Sequence, residues 1–96
     1  MFIHGFLFHW KPGTTDEQKA RVQREILAFQ GVIPGLLETH VGENVAANNR
    51  DYTFAGVMIF ENKEAYRAYW PHPAHQALIA WLMPIIEPIE FDFQPE

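Results

Sequence analysis

The first ten residues carry apolar side chains on both faces of what their alternation predicts to be a β-strand. One set is aromatic apart from a single histidine: Phe2, His4, Phe6, Phe8 and Trp10. The interleaved set is Ile3, Gly5, Leu7 and His9. A strand of this kind is stable inside a sheet that is covered on both sides. The 96 residues are long enough for one such sheet and one hydrophobic core, which predicts a single domain over residues 1–96.

A helix is predicted to follow this strand after a turn at residues 11–13, which are Lys, Pro and Gly. Thr15 and Gln18 have the spacing of a capping box, in which each side chain bonds a backbone N–H near the helix start. Apolar residues then recur at i, i+4 and i+7, at Val22, Ile26 and Phe29. Gly31 is predicted to end this helix.

The remainder of the chain predicts three more strands and two helical segments. The strands are expected at residues 36–45, 52–60 and 89–93. One face of the first of these is expected to hold Leu37, Thr39 and Val41. Asn62 is expected to cap a short helix that leads to Tyr69, and Pro73 to open a longer helix with an apolar stripe. That stripe consists of Leu78, Trp81, Leu82 and Ile85, and it stops at the prolines Pro84 and Pro88.

The predicted order, β-α-β-β-α-β, is the split βαβ pattern of ferredoxin-like α+β domains with a four-stranded antiparallel sheet. Two helices cover one face of such a sheet, whereas the strands at residues 2–10 and 52–60 are apolar on both faces. The open face therefore predicts a homodimer in which two sheets pack together into a dimeric α+β barrel.

Charge and composition exclude several classes of partner. Twelve acidic residues against seven basic ones give a formal net charge of −5, and the basic residues do not cluster. Nucleic acid and anionic membranes are therefore poor partners. The chain has no cysteine, so thiol chemistry is absent. Its apolar start lacks basic residues and is too short to span a bilayer, which predicts a cytoplasmic protein.

The best candidate for chemistry is the stretch from Tyr66 to His75, which holds two tyrosines and two histidines. Pro73 suits the first turn of a helix, with His72 at or beside the N-cap and His75 within that turn. The positive end of the helix dipole favours neutral His75, the form that accepts a proton. The break before Pro73 lets the chain turn, so the Tyr69 hydroxyl can approach His75. The pattern predicts His75 as a general base and Tyr69 as a hydrogen-bond donor.

Three other interpretations stay open. The His-Pro-x-His segment is also ordinary helix-start punctuation. His72 and His75 are three residues apart and could share a metal ion, although no third ligand stands at a telling distance. Several aromatic residues could instead line an apolar pocket of a non-catalytic dimer that binds a small hydrophobic ligand: Phe54, Tyr66, Trp70 and Trp81.

Short motifs along nearly the whole chain resemble one family. They are His4 in the leading strand, Lys11-Pro-Gly-Thr-Thr, Ile33-Pro-Gly, Val41-Gly, Phe60-Glu, Tyr69 with His72-Pro-Ala-His75, and Phe91-Asp-Phe93. Their order and spacing are similar to those of the stress-responsive A/B barrel domains, also called dimeric α/β-barrel (Dabb) domains. The resemblance implies a ferredoxin-like protomer, a homodimer and a pocket between sheet and helices in each subunit.

The resemblance also implies a reaction. Most members of the family have no assigned chemistry, and the branch that does consists of plant polyketide cyclases that need no cofactor. There, residues matching Tyr69 and His75 perform an aldol-type cyclisation, and a histidine matching His4 lies near the pocket. Phe54 and Ile26 stand where that branch has a histidine and a tyrosine, so a drier pocket is expected.

Two further expectations concern the mechanism. Asp92 is expected to fix the tautomer of His75 by accepting a hydrogen bond from its second ring nitrogen, provided that the strand face of Asp92 points inward. Cofactor-free monooxygenases also occur among ferredoxin-like dimers, but the fold alone does not assign that chemistry. The segment ending in His75 favours the cyclase-like branch.

Overall fold

A computed structural model describes residues 1–96. The strands are β1 (Phe2–Trp10), β2 (Leu36–Glu43), β3 (Tyr52–Phe60) and β4 (Ile86–Phe93). The helices are α1 (Asp16–Leu27), α2 (Lys63–Tyr69) and α3 (Pro73–Leu82), and a short 3₁₀ turn at Met83–Ile85 joins α3 to β4. The strands form one sheet in the order β2-β3-β1-β4 with every neighbouring pair antiparallel. The predicted ferredoxin-like α+β fold is confirmed.

Helix α1 begins as the capping pattern predicts and ends earlier than expected. Thr15 accepts a hydrogen bond from the Gln18 N–H at 3.1 Å, and the Gln18 side chain accepts from the Thr15 N–H at 2.8 Å. The helix ends at Leu27, and Phe29 lies beyond it in a turn. Gly31 has φ +84°, so it supports that turn rather than ending the helix. Phe29 is nevertheless buried in the core, as its spacing predicted.

Strand β2 is shorter than expected, and one of its residues faces the other way. It ends at Glu43 rather than Val45. Its pairing with β3 shifts between Leu36 and Glu38, which reverses the alternation at this point. Leu36 is therefore buried, while Leu37 is 47% exposed. The prediction that Leu37 shares a face with the partly buried Thr39 and Val41 was wrong, because one extra residue in a strand turns the following side chains over.

Strand β4 begins at Ile86, three residues before the predicted start at Ile89, and it contains Pro88. Proline has no N–H to donate to the hydrogen bonds between strands, so the sequence pattern predicted Pro88 at the end of the helical run and outside the strand. β4 lies at the edge of the sheet, where one side of the strand has no partner, so Pro88 is tolerated there.

The two faces of the sheet differ in what covers them. The inner face packs against the helices and carries Phe2, His4, Phe6, Phe8, Phe54, Met58 and Phe60, all buried. The outer face is apolar without a cover, and it carries Ile3, Leu7, Val57, Ile59, Ile89, Phe91 and Phe93. Three of its members, those on β4, are each close to half exposed. No helix in the structure is long and apolar enough to span a membrane.

Replacing Gly56 with alanine should destabilise the fold through overpacking. A Cβ at this position of β3 would overlap the buried ring of Phe6. Such overlaps in a packed core cost about 1–3 kcal/mol. Gly42 on β2 is the matched control, since a Cβ there meets nothing within 4 Å. Urea unfolding should show a lower midpoint for Gly56→Ala than for Gly42→Ala, and equal midpoints would contradict the packing of Phe6 over Gly56.

Candidate functional site

The junction between α2 and α3 places the Tyr69 and His75 side chains. α2 ends at Tyr69, and Trp70 caps it. His72 is the N-cap of α3, and its Nδ1 accepts from the Ala74 N–H at 3.1 Å. Pro73 occupies the first turn, as predicted. Because His75 then stands in that same turn, its ring lies against Tyr69, with 4.2 Å between the ring centroids.

His75 is buried and has one ring nitrogen engaged. Its Nδ1 lies 3.0 Å from the Trp70 carbonyl oxygen, which also accepts from the Gln76 side chain at 2.7 Å. A carbonyl can only accept, so Nδ1 carries the proton and Nε2 keeps its lone pair. Burial lowers the pKa of His75, the hydrogen bond to Trp70 opposes this, and nearby His4 adds to the lowering. His75 therefore rests as a neutral imidazole with a free acceptor.

Tyr69 supplies a protonated hydroxyl beside that imidazole. Its side chain is buried, and burial raises the pKa of Tyr69 far above its ordinary value, with Tyr66 and Glu90 adding to the effect. The hydroxyl has no hydrogen-bond partner within the chain. It is thus a donor that remains available to a bound molecule at neutral pH.

His4 is the second buried histidine of the site, and Asp92 is its partner. Their Nδ1 and Oδ1 atoms are 2.5 Å apart across neighbouring strands. The other carboxylate oxygen accepts from the Tyr66 hydroxyl at 3.2 Å, and that hydroxyl accepts from Trp70 Nε1 at 2.8 Å. Burial raises the pKa of Tyr66 to about 12. Asp92 thus faces inward, as expected, but it bonds His4 rather than His75.

A cavity of about 40 Å³ joins these groups. Its polar lining consists of His4, Tyr69, His75 and Glu90. The ten remaining residues are hydrophobic or proline: Phe6, Phe8, Ile26, Met58, Leu78, Ile79, Leu82, Met83, Ile86 and Pro88. No lysine or arginine lines the cavity, and Glu90 is its one acidic residue. It is a mainly apolar chamber with three protic side chains on one side.

Among the residues expected at the pocket, Phe54, Trp81 and His72 lie outside it. Phe54 stacks on Phe8 in the core, with ring centroids 5.5 Å apart. The Trp81 Nε1 donates to the Glu25 side chain at 3.2 Å, so this indole ties α3 to α1. His72 serves as the helix cap described above. Ile26, by contrast, lines the cavity where a tyrosine was expected from the family pattern, which makes this wall apolar.

Two cavity residues, Glu90 and Met83, carried no clear signal in the sequence. Tyr66 and Trp70 were expected to line an apolar pocket, and the structure instead places their polar atoms in a hydrogen-bond chain to Asp92. Glu90 and Asp92 alternate with apolar residues in β4, a pattern that also describes any solvated strand face. Their inward position depends on the pairing of β4 with β1, which places Glu90 opposite Phe6.

The two histidines of the His-Pro-x-His segment do not converge. The Nδ1 of His72 faces the α3 backbone, and the Nδ1 of His75 faces the Trp70 carbonyl. No group of three or more histidine, aspartate or glutamate side chains is arranged to hold a metal ion.

Acidification should destabilise the fold through His75. Its pKa is lowered from the ordinary 6.5, so the unfolded chain binds a proton at higher pH than the folded chain does. This part of the stability is therefore complete above pH 6.5 and declines as the pH falls toward the folded pKa. Urea unfolding at several pH values should show a smaller acid loss for His75→Gln. The exposed His40 gives the control, and His40→Gln should keep the wild-type slope; equal slopes for both variants would contradict the burial effect.

The comparison with protein families decides what kind of chain this is. The family described as the stress responsive A/B barrel (Dabb) domain matches residues 3–95. The chain belongs to this family. Among curated proteins, no sequence matches this Dabb chain.

Solved structures with the same fold accompany the family match. A dimeric ferredoxin-like protein of unknown function from Thermobifida fusca is 26% identical, with a TM-score of 0.85 over 98% of this chain and 90% of its own. A Dabb family protein from Mesorhizobium loti is 23% identical, with a TM-score of 0.84 over 99% and 96%. A hydroxynitrile lyase from Passiflora edulis is 13% identical, with a TM-score of 0.80 over 99% and 95%. The Dabb fold is thus shared by proteins of unknown function and by an enzyme.

Proposed function

We propose that this Dabb domain is a cofactor-free enzyme that removes a proton α to a carbonyl group, with His75 as the base and Tyr69 as the donor. One observation carries the proposal. His75, whose Nδ1 is held by the Trp70 carbonyl, and Tyr69, whose hydroxyl has no partner in the chain, line one mainly apolar cavity with 4.2 Å between their ring centroids. Enclosure strengthens both interactions because little water competes with the substrate.

The proposed step is an enolisation. His75 Nε2 takes a proton from the carbon next to the carbonyl, and the C–H electron pair forms the new C=C bond. The carbonyl oxygen gains negative charge, and the Tyr69 hydroxyl donates a hydrogen bond to it. The enolate can then attack a second carbonyl, which is the aldol-type closure that the resemblance to polyketide cyclases implies. The Passiflora lyase supports an enzymatic role for the fold only as an analogy, because a fold does not assign chemistry.

The cavity favours uncharged substrates. Glu90 lines it, and no cation balances a bound carboxylate or phosphate. A volume of about 40 Å³ corresponds to roughly three water-sized spheres. A small neutral carbonyl compound fits this volume. A longer polyketide-like substrate requires the wall to move, and Met83 is the wall residue suited to this, because it is 47% exposed and unbranched.

A non-catalytic binding module is the second candidate. Ten of the fourteen residues around the cavity are hydrophobic, as in sites that bind a small hydrophobic ligand without reaction. This candidate explains the apolar wall. It gives no role to the two buried histidines, His4 and His75, that line the same cavity.

The proposed assembly is a homodimer formed by the outer face of the sheet. Seven apolar side chains lie next to one another on that face. Single exposed apolar residues are common on protein surfaces, but a contiguous apolar patch of this size is typical of an interface. The Thermobifida fusca relative is dimeric, which supports this assembly.

An NMR titration of the five histidines tests the proposed function. Wild type and Tyr69→Phe are compared with and without acetylacetone, a small neutral β-diketone. His75 should titrate below an ordinary histidine, respond to Tyr69→Phe and shift when acetylacetone is added. If His75 titrates like a free imidazole and ignores both changes, the binding-module candidate is preferred. A shift of the apolar wall residues without any response of His75 also favours the binding module.

A further inference from the structure

The site contains a second histidine that the proposed enolisation does not use. His4 is 3% exposed, lines the same cavity and has its Nδ1 held by Asp92. Its Nε2 is the nitrogen left for a bound molecule. His75 and His4 thus line one small chamber, each with its Nδ1 engaged, and Tyr69 is the third protic residue of the lining.

The two histidines differ in the group that supports them. The Nδ1 of His75 is hydrogen-bonded to the neutral carbonyl of Trp70, whereas the Nδ1 of His4 is hydrogen-bonded to the carboxylate of Asp92. A carboxylate that accepts from Nδ1 fixes the tautomer and stabilises the imidazolium that forms when Nε2 takes a proton. His4 is therefore equipped to hold a proton during a reaction, and the neighbouring His75 is held as a neutral acceptor.

A hydrogen-bond chain holds the carboxylate in place. The Tyr66 hydroxyl donates to Asp92, and the Trp70 indole donates to that hydroxyl. The Asp92 side chain is 36% exposed, while that of His4 is 4% exposed. The His4–Asp92 pair thus links the cavity, at His4, to solvent, which the Asp92 carboxylate contacts.

We infer that His4, positioned by Asp92, is a second proton-transfer group of this cavity, and that the substrate is a small uncharged α-hydroxy carbonyl compound with protons to move at two positions. The inference rests on the proposed function, because it keeps His75 as the base at carbon and Tyr69 as the donor to the carbonyl oxygen. It adds His4 as the group that accepts the proton of the substrate hydroxyl.

The reaction balances as an isomerisation. His75 Nε2 takes the proton from the carbinol carbon, and the electron pair forms the C=C bond of an enediolate whose oxygen accepts from Tyr69. His4 Nε2 then takes the hydroxyl proton as that oxygen becomes a carbonyl. His75 returns its proton to the former carbonyl carbon, and His4 gives its proton to the oxygen there. One proton moves between carbons, the other between oxygens, and no oxidant or reductant is consumed.

The simpler alternative is that the pair only fastens β4 to β1. His4 and Asp92 are register partners on adjacent strands, where a polar pair adds stability without chemistry. If the pair is purely structural, the NMR signal of His4 Nε2 should not change when a molecule binds in the cavity.

The test combines nitrogen-15 NMR of the histidine rings with proton NMR of hydroxyacetone in D₂O, which follows both the exchange of its carbinol C–H and its conversion to 2-hydroxypropanal. Adding hydroxyacetone should shift the Nε2 signals of both His4 and His75 in the wild type. Asp92→Asn keeps the shape and an acceptor oxygen but removes the charge, and it should slow the conversion at least about tenfold while the C–H exchange that depends on His75 continues. Tyr66→Phe should slow the conversion less, and Gln23→Ala, at an exposed position of α1, should leave it unchanged.

The outcomes separate the two proposals. If His75 responds to hydroxyacetone and His4 does not, or if Asp92→Asn converts hydroxyacetone at the wild-type rate, the second proton-transfer group is wrong and the proposed function stands. If neither histidine responds and no C–H exchange is catalysed, both proposals fail. A loss of folding stability in Asp92→Asn with unchanged conversion supports the fastening role instead. Replacing His4 itself, as His4→Gln, gives an independent variant for the same comparison.

Discussion

His75→Ala should lower catalysed α-proton exchange by about 10²–10⁴-fold while the protein stays folded. General acid–base catalysis contributes a factor of this size, and His75 is the buried imidazole nearer to the Tyr69 ring, at 4.2 Å between ring centroids against 6.3 Å for His4. The substitution removes the proton acceptor, and the cavity, Tyr69 and the dimer face remain. The rate is followed by proton NMR as the α-hydrogens of hydroxyacetone are replaced by deuterium from D₂O.

His40→Ala is the matched control for this measurement. His40 lies on β2 opposite Val57 of the outer face, 3.2 Å from the Glu38 carboxylate and away from the cavity, so its loss should leave exchange at the wild-type rate when sedimentation shows an unchanged assembly. A circular dichroism melt establishes that both variants fold. Wild-type exchange in folded His75→Ala would remove the base role and favour a binding module. An equal loss in both variants would point to a general effect of losing a histidine.

Phe91→Lys should separate the proposed dimer into protomers. Phe91 stands on the outer face of β4, 45% exposed, with its ring above Gly5 of β1. The lysine would place a charge without a partner between two apolar sheets. Loss of an aromatic side chain that anchors an interface costs about 2–4 kcal/mol of association free energy. That cost corresponds to a dissociation constant raised about 30-fold to 1,000-fold. Sedimentation velocity over a dilution series measures it.

Leu27→Lys is the control for the dimer prediction. Leu27 is 42% exposed at the end of α1, on the helical side of the sheet. It offers a similar exposure and the same change in charge away from the outer face. Its sedimentation should match that of the wild type. A dimer that survives Phe91→Lys would mean that the outer face is covered in some other way or is not the interface.

Local patterns predicted most of the fold. The alternation in residues 2–10 and 52–60, the capping box at Thr15 and the cap at Asn62 each depend on neighbours a few residues away, and each is present in the structure. The errors occurred where pairing decides the outcome. Leu37 turned outward because β2 shifts against β3, and Pro88 entered a strand because that strand lies at the sheet edge.

In the candidate site too, the features set by local sequence were predicted and those set by strand pairing were not. The placement of Tyr69 and His75 around Pro73 is local, and the sequence predicted that they would meet. The partner of Asp92 depends on an interaction across 88 residues of chain, and it proved to be His4. Family resemblance suggested a role for His4, but only the register of β4 against β1 shows which carboxylate supports it.

Strand β4 ties assembly to the site through its two faces. Residues 89, 91 and 93 belong to the outer face, while residues 90 and 92 reach the cavity or its supporting pair. An edge strand has a neighbour on one side only, so a free protomer holds β4 less firmly than a dimer does. Association that orders β4 also orders Asp92, and thermodynamic linkage requires the converse. In the proposed dimer, a ligand that binds His4 should therefore strengthen the association of the protomers, and a higher protein concentration should raise the affinity of the cavity for that ligand.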